Sequence, residues 1–279
     1  MIFNLYNNGF LLSFATTQYF RSPIMEPMAS VGLKAARIAS QHITRCYDRP
    51  DLIKIFKKTN QLSTNVNSEV TIIISEFLKE KYPDHSFNGK EIETEGNSAK
   101  YQWLIEPISG TENFVRQIPH FSVSIACFSE GRLAHAIIVD PMRQEEFVAS
   151  RGNGASLNGK RIRVTQTIDL GDSLVASPVR GGDSNYQLFQ HLSTIGSARQ
   201  QTGSVALDLA YVAAGRIDAL WASNQGVQEI AAGCLLVSEA GGICGDFYGG
   251  VDHLKSGDIV SGTPKCFKEL SSLTRKLLT

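Results

Sequence analysis

The sequence predicts a fold of stacked α and β layers. Three observations point there. Helical and strand-like apolar spacing both occur in each half of the chain rather than in separate blocks. The middle of the chain carries consecutive alternating segments joined by short turns, which read as an antiparallel meander. A length of 279 residues with 42% hydrophobic content suits one large domain or two intimately packed halves.

The elements follow in order. Residues 1–24 differ from the rest. Gly9 to Ala15 is largely apolar, but no Lys or Arg precedes it and Arg21 follows, which is the wrong order for a secretory signal. The stretch is expected to be a disordered or non-native extension ahead of a domain spanning 25–279. Met28 to Tyr47 has helical spacing, with Val31, Ala35, Ile38, His42 and Cys46 near one face. His42 is read there as a tolerated helix residue rather than a ligand. Val66 to Tyr82 repeats the pattern and ends at Pro83-Asp84-His85. Trp103 to Ile105 reads as a buried strand expected to stop at Pro107, which lacks a backbone donor. His120 to Phe128, Arg132 to Val139 and Glu146 to Ser150 form the meander, and Asn158-Gly159 is a hairpin signal. The second half alternates element types: strands at 173–176, 217–221 and 259–261, and helices at 186–195, 204–214, 229–240 and 265–278.

Composition excludes several classes. Lys plus Arg balances Asp plus Glu at 27 each, so no global field favours nucleic acid or a membrane surface. No apolar run reaches the ~20 residues that span a bilayer. The five cysteines are scattered without CxxC spacing and read as reduced thiols of a cytoplasmic protein, not as a zinc site or disulfide framework. The six histidines fall in no recognisable nucleophile–base motif.

The stretch that organises the chain is Trp103-Leu104-Ile105-Glu106-Pro107-Ile108-Ser109-Gly110-Thr111-Glu112-Asn113-Phe114. A strand end followed by a turn rich in acid, hydroxyl and amide groups is where sites are commonly built. The stretch resembles the metal-site signature of the inositol monophosphatase family, and keeps its frame at Pro107, Gly110, Thr111, Asn113 and Phe114. Thr202 to Arg216, Pro119 to Ala126, Asp140 to Phe147 and Ala231 to Gly242 resemble further family segments in the right order, with the bacterial SuhB branch the nearest fit. The branch carries paired arginines where this chain has Gln200 and Gln201. The resemblance implies an α/β/α/β/α sandwich, and commonly a homodimer.

It also implies magnesium-dependent hydrolysis of phosphate monoesters. Magnesium prefers near-octahedral oxygen ligands, and clustered carboxylates hold the ions that neutralise phosphate and activate water. The resemblance places metal ligands at Glu106, the Ile108 carbonyl, Ser109 and Glu229, catalytic groups at Thr111 and Lys90, and substrate contacts at Gly110, Thr111 and Ala222. Most of these positions are substituted. The family has aspartate at 106, 109 and 229, glutamate at 90 and a substrate-facing glutamate at 222; an earlier acid pair reads Gln61 and Asn67. Lys90, Glu106 and Glu229 together leave one net negative charge where the family clusters acids. The Lys90 ammonium is expected to stand where a metal would sit, beside Glu106 or Glu229, without supplying a Lewis acid.

Two expectations follow. The first is a catalytically impaired SuhB-like protein retained for protein contacts, such as those of Nus factors and RNA polymerase in transcription antitermination. The second is a magnesium-dependent phosphatase acting on inositol monophosphate or a related sugar phosphate.

Overall fold

The computed structural model describes residues 25–58, 61–89, 92–93, 100–177 and 183–278. The expected extension at 1–24 and Lys90 lie outside them.

The chain opens with helix α1 (Pro27–Tyr47), a 3-10 turn (Pro50–Leu52) and the hairpin β1 (Ile55–Lys58) and β2 (Gln61–Thr64). Helix α2 (Asn65–Lys81), β3 (Ser86–Gly89), β4 (Ile92–Glu93), β5 (Tyr101–Ser109) and the short α3 (Thr111–Val115) follow. The meander is β6 (Ser122–Ser129), β7 (Arg132–Asp140), β8 (Glu145–Ser150), β9 (Gly154–Leu157) and β10 (Lys160–Arg161). The second half runs β11 (Leu174–Ala176), α4 (Asp183–Thr194), β12 (Ala198–Gln200), α5 (Val205–Ala213), β13 (Ala219–Ala222) and α6 (Val227–Glu239). It closes with β14 (Ile243–Gly245), α7 (His253–Ser256), β15 (Ile259–Gly262) and α8 (Pro264–Leu277).

An eight-stranded sheet has the order β10-β9-β8-β7-β6-β5-β3-β4, and a five-stranded sheet the order β12-β11-β13-β15-β14. β5 through β10 pair antiparallel with their neighbours in sequence, as the alternation predicts, whereas β3 lies parallel to β5. Asn158 and Gly159 both take positive φ, the signature of the tight hairpin turn between β9 and β10.

Alternation decides the layers, because successive side chains of a strand face opposite ways. On β5, Trp103 and Ile105 join Ala36 and Ile43 of α1 and Val70 and Ile74 of α2 in one core. Leu104, between them, joins Leu207 of α5 and Leu236 of α6 in another. On β13, Leu220 and Ala222 face that same α5/α6 core, while Ala219 and Trp221 pack with Leu188 of α4 and Leu270 of α8. The layers are therefore α1/α2, large sheet, α5/α6, small sheet, α4/α8, which is the expected α/β/α/β/α sandwich. Sheets cover α5 and α6 on both sides, so these helices are apolar nearly all round. Among the described residues, no helix is long and apolar enough to cross a membrane.

Two expectations need correction. β5 does not stop at Pro107 but runs on to Ser109. Its pairing with β6 shifts register between Glu106 and Ser109, and at such an irregularity the missing proline donor leaves no ladder bond broken. The buried face of α1 is only in part the one expected. Ala35 and Cys46 are buried as expected, but Ile38 is exposed, and the helix also buries Ala29, Gly32, Ala36, Ala39 and Ile43. Small residues let it lie close to the sheet: a Cβ on Gly32 would stand 2.8 Å from Ile137 Cδ1.

Helices α5 and α6 cross closely: a Cβ on Gly233 would come 2.4 Å from Leu209 Cβ. Gly233→Ala is therefore expected to destabilise the protein by ~1–3 kcal/mol, despite alanine's better helix propensity, in urea unfolding with an unchanged m-value.

Candidate functional site

The signature turn is held at the end of β5. Glu106 is fully buried, and by the strand's alternation it lies on Leu104's side, toward the α5/α6 layer. Gly110 has φ +97°, a conformation L side chains rarely adopt, and a Cβ there would sit 3.0 Å from the His120 carbonyl oxygen. Phe114 anchors α3 from below, with its ring edge-on to Phe121 at 5.3 Å and tilted against Tyr47 at 6.1 Å.

Helix α2 meets the turn through its cap. Thr64 is in extended conformation, and its hydroxyl accepts from the Asn67 backbone N–H at 3.3 Å. Asn67 Oδ1 accepts in return from the Thr64 N–H at 2.9 Å and the Thr64 hydroxyl at 2.7 Å. This capping box satisfies two otherwise orphaned donors. It also fixes which way the Asn67 amide points. With Oδ1 committed to Thr64, Nδ2 faces the turn and donates to Thr111 Oγ1 at 3.3 Å, and Thr111 donates to the Ile108 carbonyl at 3.0 Å. A carboxylate at position 67 has no hydrogen to give. It would accept the Thr111 hydroxyl hydrogen instead and leave the Ile108 carbonyl free. The amide thus reverses the direction of this chain of hydrogen bonds.

Helix α5 meets the turn from the other side. Ser109 is buried, with its Oγ 3.0 Å from Ser204 Oγ and accepting from the Ala206 N–H at 3.3 Å. It caps the start of α5 from a distant strand, a role Ser204 as N-cap leaves open because its own side chain makes no cap bond. Asn113 closes the arrangement by donating from Nδ2 to the carbonyls of Thr202 at 2.7 Å and His120 at 2.8 Å.

Below Thr202 lies Asp208 of α5, fully buried, its Oδ1 accepting from the Thr202 hydroxyl at 2.6 Å. Oδ2 has no hydrogen-bond partner among the described residues. Burial pushes its pKa from 3.8 up to about 7, and the Thr202 hydrogen bond only partly opposes that rise.

This geometry can be set beside known proteins. The model of the inositol monophosphatase family matches residues 24–278. The chain belongs to that family. Its relatives include the Nus factor SuhB of Pseudomonas aeruginosa, 43% identical over 257 residues that make up 88% of this chain and 95% of the relative. The Nus factor SuhB of Escherichia coli is 38% identical, covering 91% and 98% of the two chains. Among solved structures, the extragenic suppressor protein SuhB of Bartonella henselae superposes with a TM-score of 0.87 at 30% identity, covering 90% of this chain and 99% of that one. The Thermotoga maritima IMPase gives 0.85 at 26% identity, over 91% and 98%. The chain is thus a SuhB-like member of the inositol monophosphatase family.

Within the family frame, the described structure brings Glu106, Ile108, Ser109, Gly110 and Thr111 together at one strand end, between the starts of α2 and α5. Glu229 lies at the start of α6, the helix that packs against β5. Its carboxylate accepts from the Gly226 N–H at 2.8 Å and so caps its own helix. Ala222 ends β13 and belongs to the α5/α6 apolar core, so its methyl group offers a substrate hydroxyl no partner. Three features escaped the sequence reading: the donor role of Asn67, the capping of α5 by Ser109, and the buried acid Asp208. The Thr-x-x-Asn spacing of Thr64 and Asn67 before an apolar helix was a usable signal for the first. The other two depend on packing between distant segments.

Ser109→Ala is expected to cost about 1 kcal/mol by leaving the Ala206 N–H without its acceptor, measured by urea unfolding. Asp208 gives a pH signature. Its pKa is higher in the folded protein, so the stability it contributes is full below about pH 4 and is lost as pH rises through about 7. Asp208→Asn is expected to flatten the stability–pH profile between those limits, by at most roughly 4 kcal/mol across the window. The comparison is one of slopes in denaturant unfolding at a series of pH values.

Proposed function

We propose that this SuhB-like chain has lost efficient magnesium-dependent phosphatase chemistry and works in the cytoplasm through protein contacts, engaging Nus factors and RNA polymerase in transcription antitermination. The observation that carries the loss of chemistry is the hydrogen-bond chain from Thr64 through Asn67 and Thr111 to the Ile108 carbonyl. In the family's chemistry the threonine orients the attacking water and the carbonyl joins the metal shell. Here the hydroxyl receives a hydrogen from Asn67 and directs its own to Ile108.

The donor set points the same way. Hard magnesium needs several oxygen ligands at ~2.0–2.1 Å, with charge to match. At position 109 a neutral hydroxyl is engaged with Ser204 and Ala206, and at 229 the carboxylate is engaged by its own helix end. At 67 an amide replaces an acid. These residues do not fit a cluster of two or three magnesium ions.

The contact role is supported by the relatives, which are named Nus factors and match nearly the whole of their own length. With the layered scaffold retained and the acids replaced, a surface function is what selection would still maintain.

The test is affinity capture of the tagged chain from lysate of its own organism, read by immunoblot for Nus factors and RNA polymerase, together with magnesium calorimetry. The expected result is co-elution with both and no binding heat at millimolar magnesium. Failure to recover either partner, combined with saturable magnesium binding, would favour a working phosphatase.

A further inference from the structure

The outer helical layer carries a second group of chemistry-bearing side chains, remote in sequence from the signature turn. His42 and Cys46 are one helical turn apart on α1, the spacing that places two side chains on one face. Packing of α1 on α2 brings Glu69 to them. His42 Nε2 lies 2.7 Å from Glu69 Oε2 and 3.7 Å from Cys46 Sγ, and one ligand atom from each residue falls within 4.8 Å of the others. From this arrangement we infer that His42, Cys46 and Glu69 bind a divalent transition metal of the zinc type.

The donor set suits such an ion. Imidazole nitrogen, thiolate and a single carboxylate oxygen are the zinc ligands of proteins, at ~2.0–2.3 Å, and hard magnesium does not choose thiolate. Bonds of those lengths in a tetrahedron place ligand atoms ~3.3–3.7 Å apart. The His42–Cys46 separation already matches, and the His42–Glu69 pair opens by less than about 1 Å once a metal replaces the shared proton. Cys46 is buried beneath the pair while the His42 and Glu69 side chains are 28% and 42% exposed, so the metal enters from solvent and keeps a water as its fourth ligand.

Glu69 is also held in orientation. Asn65 Nδ2 donates to its other oxygen, Oε1, at 2.9 Å, and the Asn65 Oδ1 accepts from the Lys54 N–H at 2.7 Å. Outer-shell hydrogen bonds of this kind aim a ligating carboxylate. Burial, then the Glu69 charge, raises the Cys46 pKa, with Arg45 opposing, so metal binding displaces a proton from the thiol. No sequence pattern marks the site, because Cys46 has no CxxC partner and Glu69 arrives only through the fold.

The experiment is a titration of the full-length protein with Co²⁺ as a spectroscopic probe, followed by displacement with Zn²⁺. The expected result is one equivalent bound, with thiolate-to-cobalt charge transfer in the near ultraviolet and the intense visible bands of a tetrahedral ion. Cys46→Ser is expected to abolish the charge-transfer band. Glu69→Gln, at a half-exposed position that leaves the fold intact, is expected to weaken binding by more than about tenfold. Cys244→Ser is expected to change neither. A weak six-coordinate cobalt spectrum, or a charge-transfer band that Glu69→Gln leaves at full affinity, would overturn the site.

Discussion

Strand β5 is shut off from water on both sides, and the rest of the molecule is arranged around that constraint. Trp103 and Ile105 must be covered by one layer of helices and Leu104 by another, so the large sheet has to lie between α1/α2 and α5/α6. The second layer is itself apolar nearly all round and needs a further sheet beyond it, and that sheet a further pair of helices. The end of β5 then emerges between the starts of α2 and α5. Helix starts present N–H groups that need acceptors. Thr64 and Asn67 meet that demand at α2, and Ser109 meets it at α5.

The substitutions in the signature turn are therefore consistent with one another rather than scattered losses. An ion cluster at this place would hold carboxylates apart by coordination. Without it, buried acids would repel one another and lack solvation. Neutral groups that cap helices and hydrogen-bond across the gap remove that cost. Asn67, Ser109 and Thr111 each have a protein partner, and the frame residues Gly110, Asn113 and Phe114 keep the turn in place.

Much of this was legible in the sequence. The long helices and the meander followed from spacing of 3.6 and 2, and the five layers from the family resemblance. The strands that went unread are mostly short: β1 to β4, β12 and β14 are two to four residues each, too few for alternation to register. The buried face of α1 was legible only at Ala35 and Cys46, because alanine and glycine add little to an apolar pattern, yet they let the helix lie close to the sheet. At the site, residue types were readable but directions were not. That Asn67 gives a hydrogen to Thr111 follows only once Thr64 is seen to occupy its oxygen. Ser109 beside α5 and Glu69 beside His42 are meetings of distant segments that no local pattern encodes.

We propose that the scaffold of a phosphatase persists here with its chemistry switched off by the donors it now carries. The most direct measurement is phosphate release from inositol 1-phosphate in millimolar magnesium. The native chain is run beside one carrying Gln61→Asp, Asn67→Asp, Lys90→Glu, Glu106→Asp, Ser109→Asp and Glu229→Asp. The native chain is expected to be silent and the restored one to turn over. Turnover by the native chain that magnesium chelation abolishes would contradict it, and would mean that the oxygens now bonded to Thr64, Ser204 and Gly226 still assemble a metal centre.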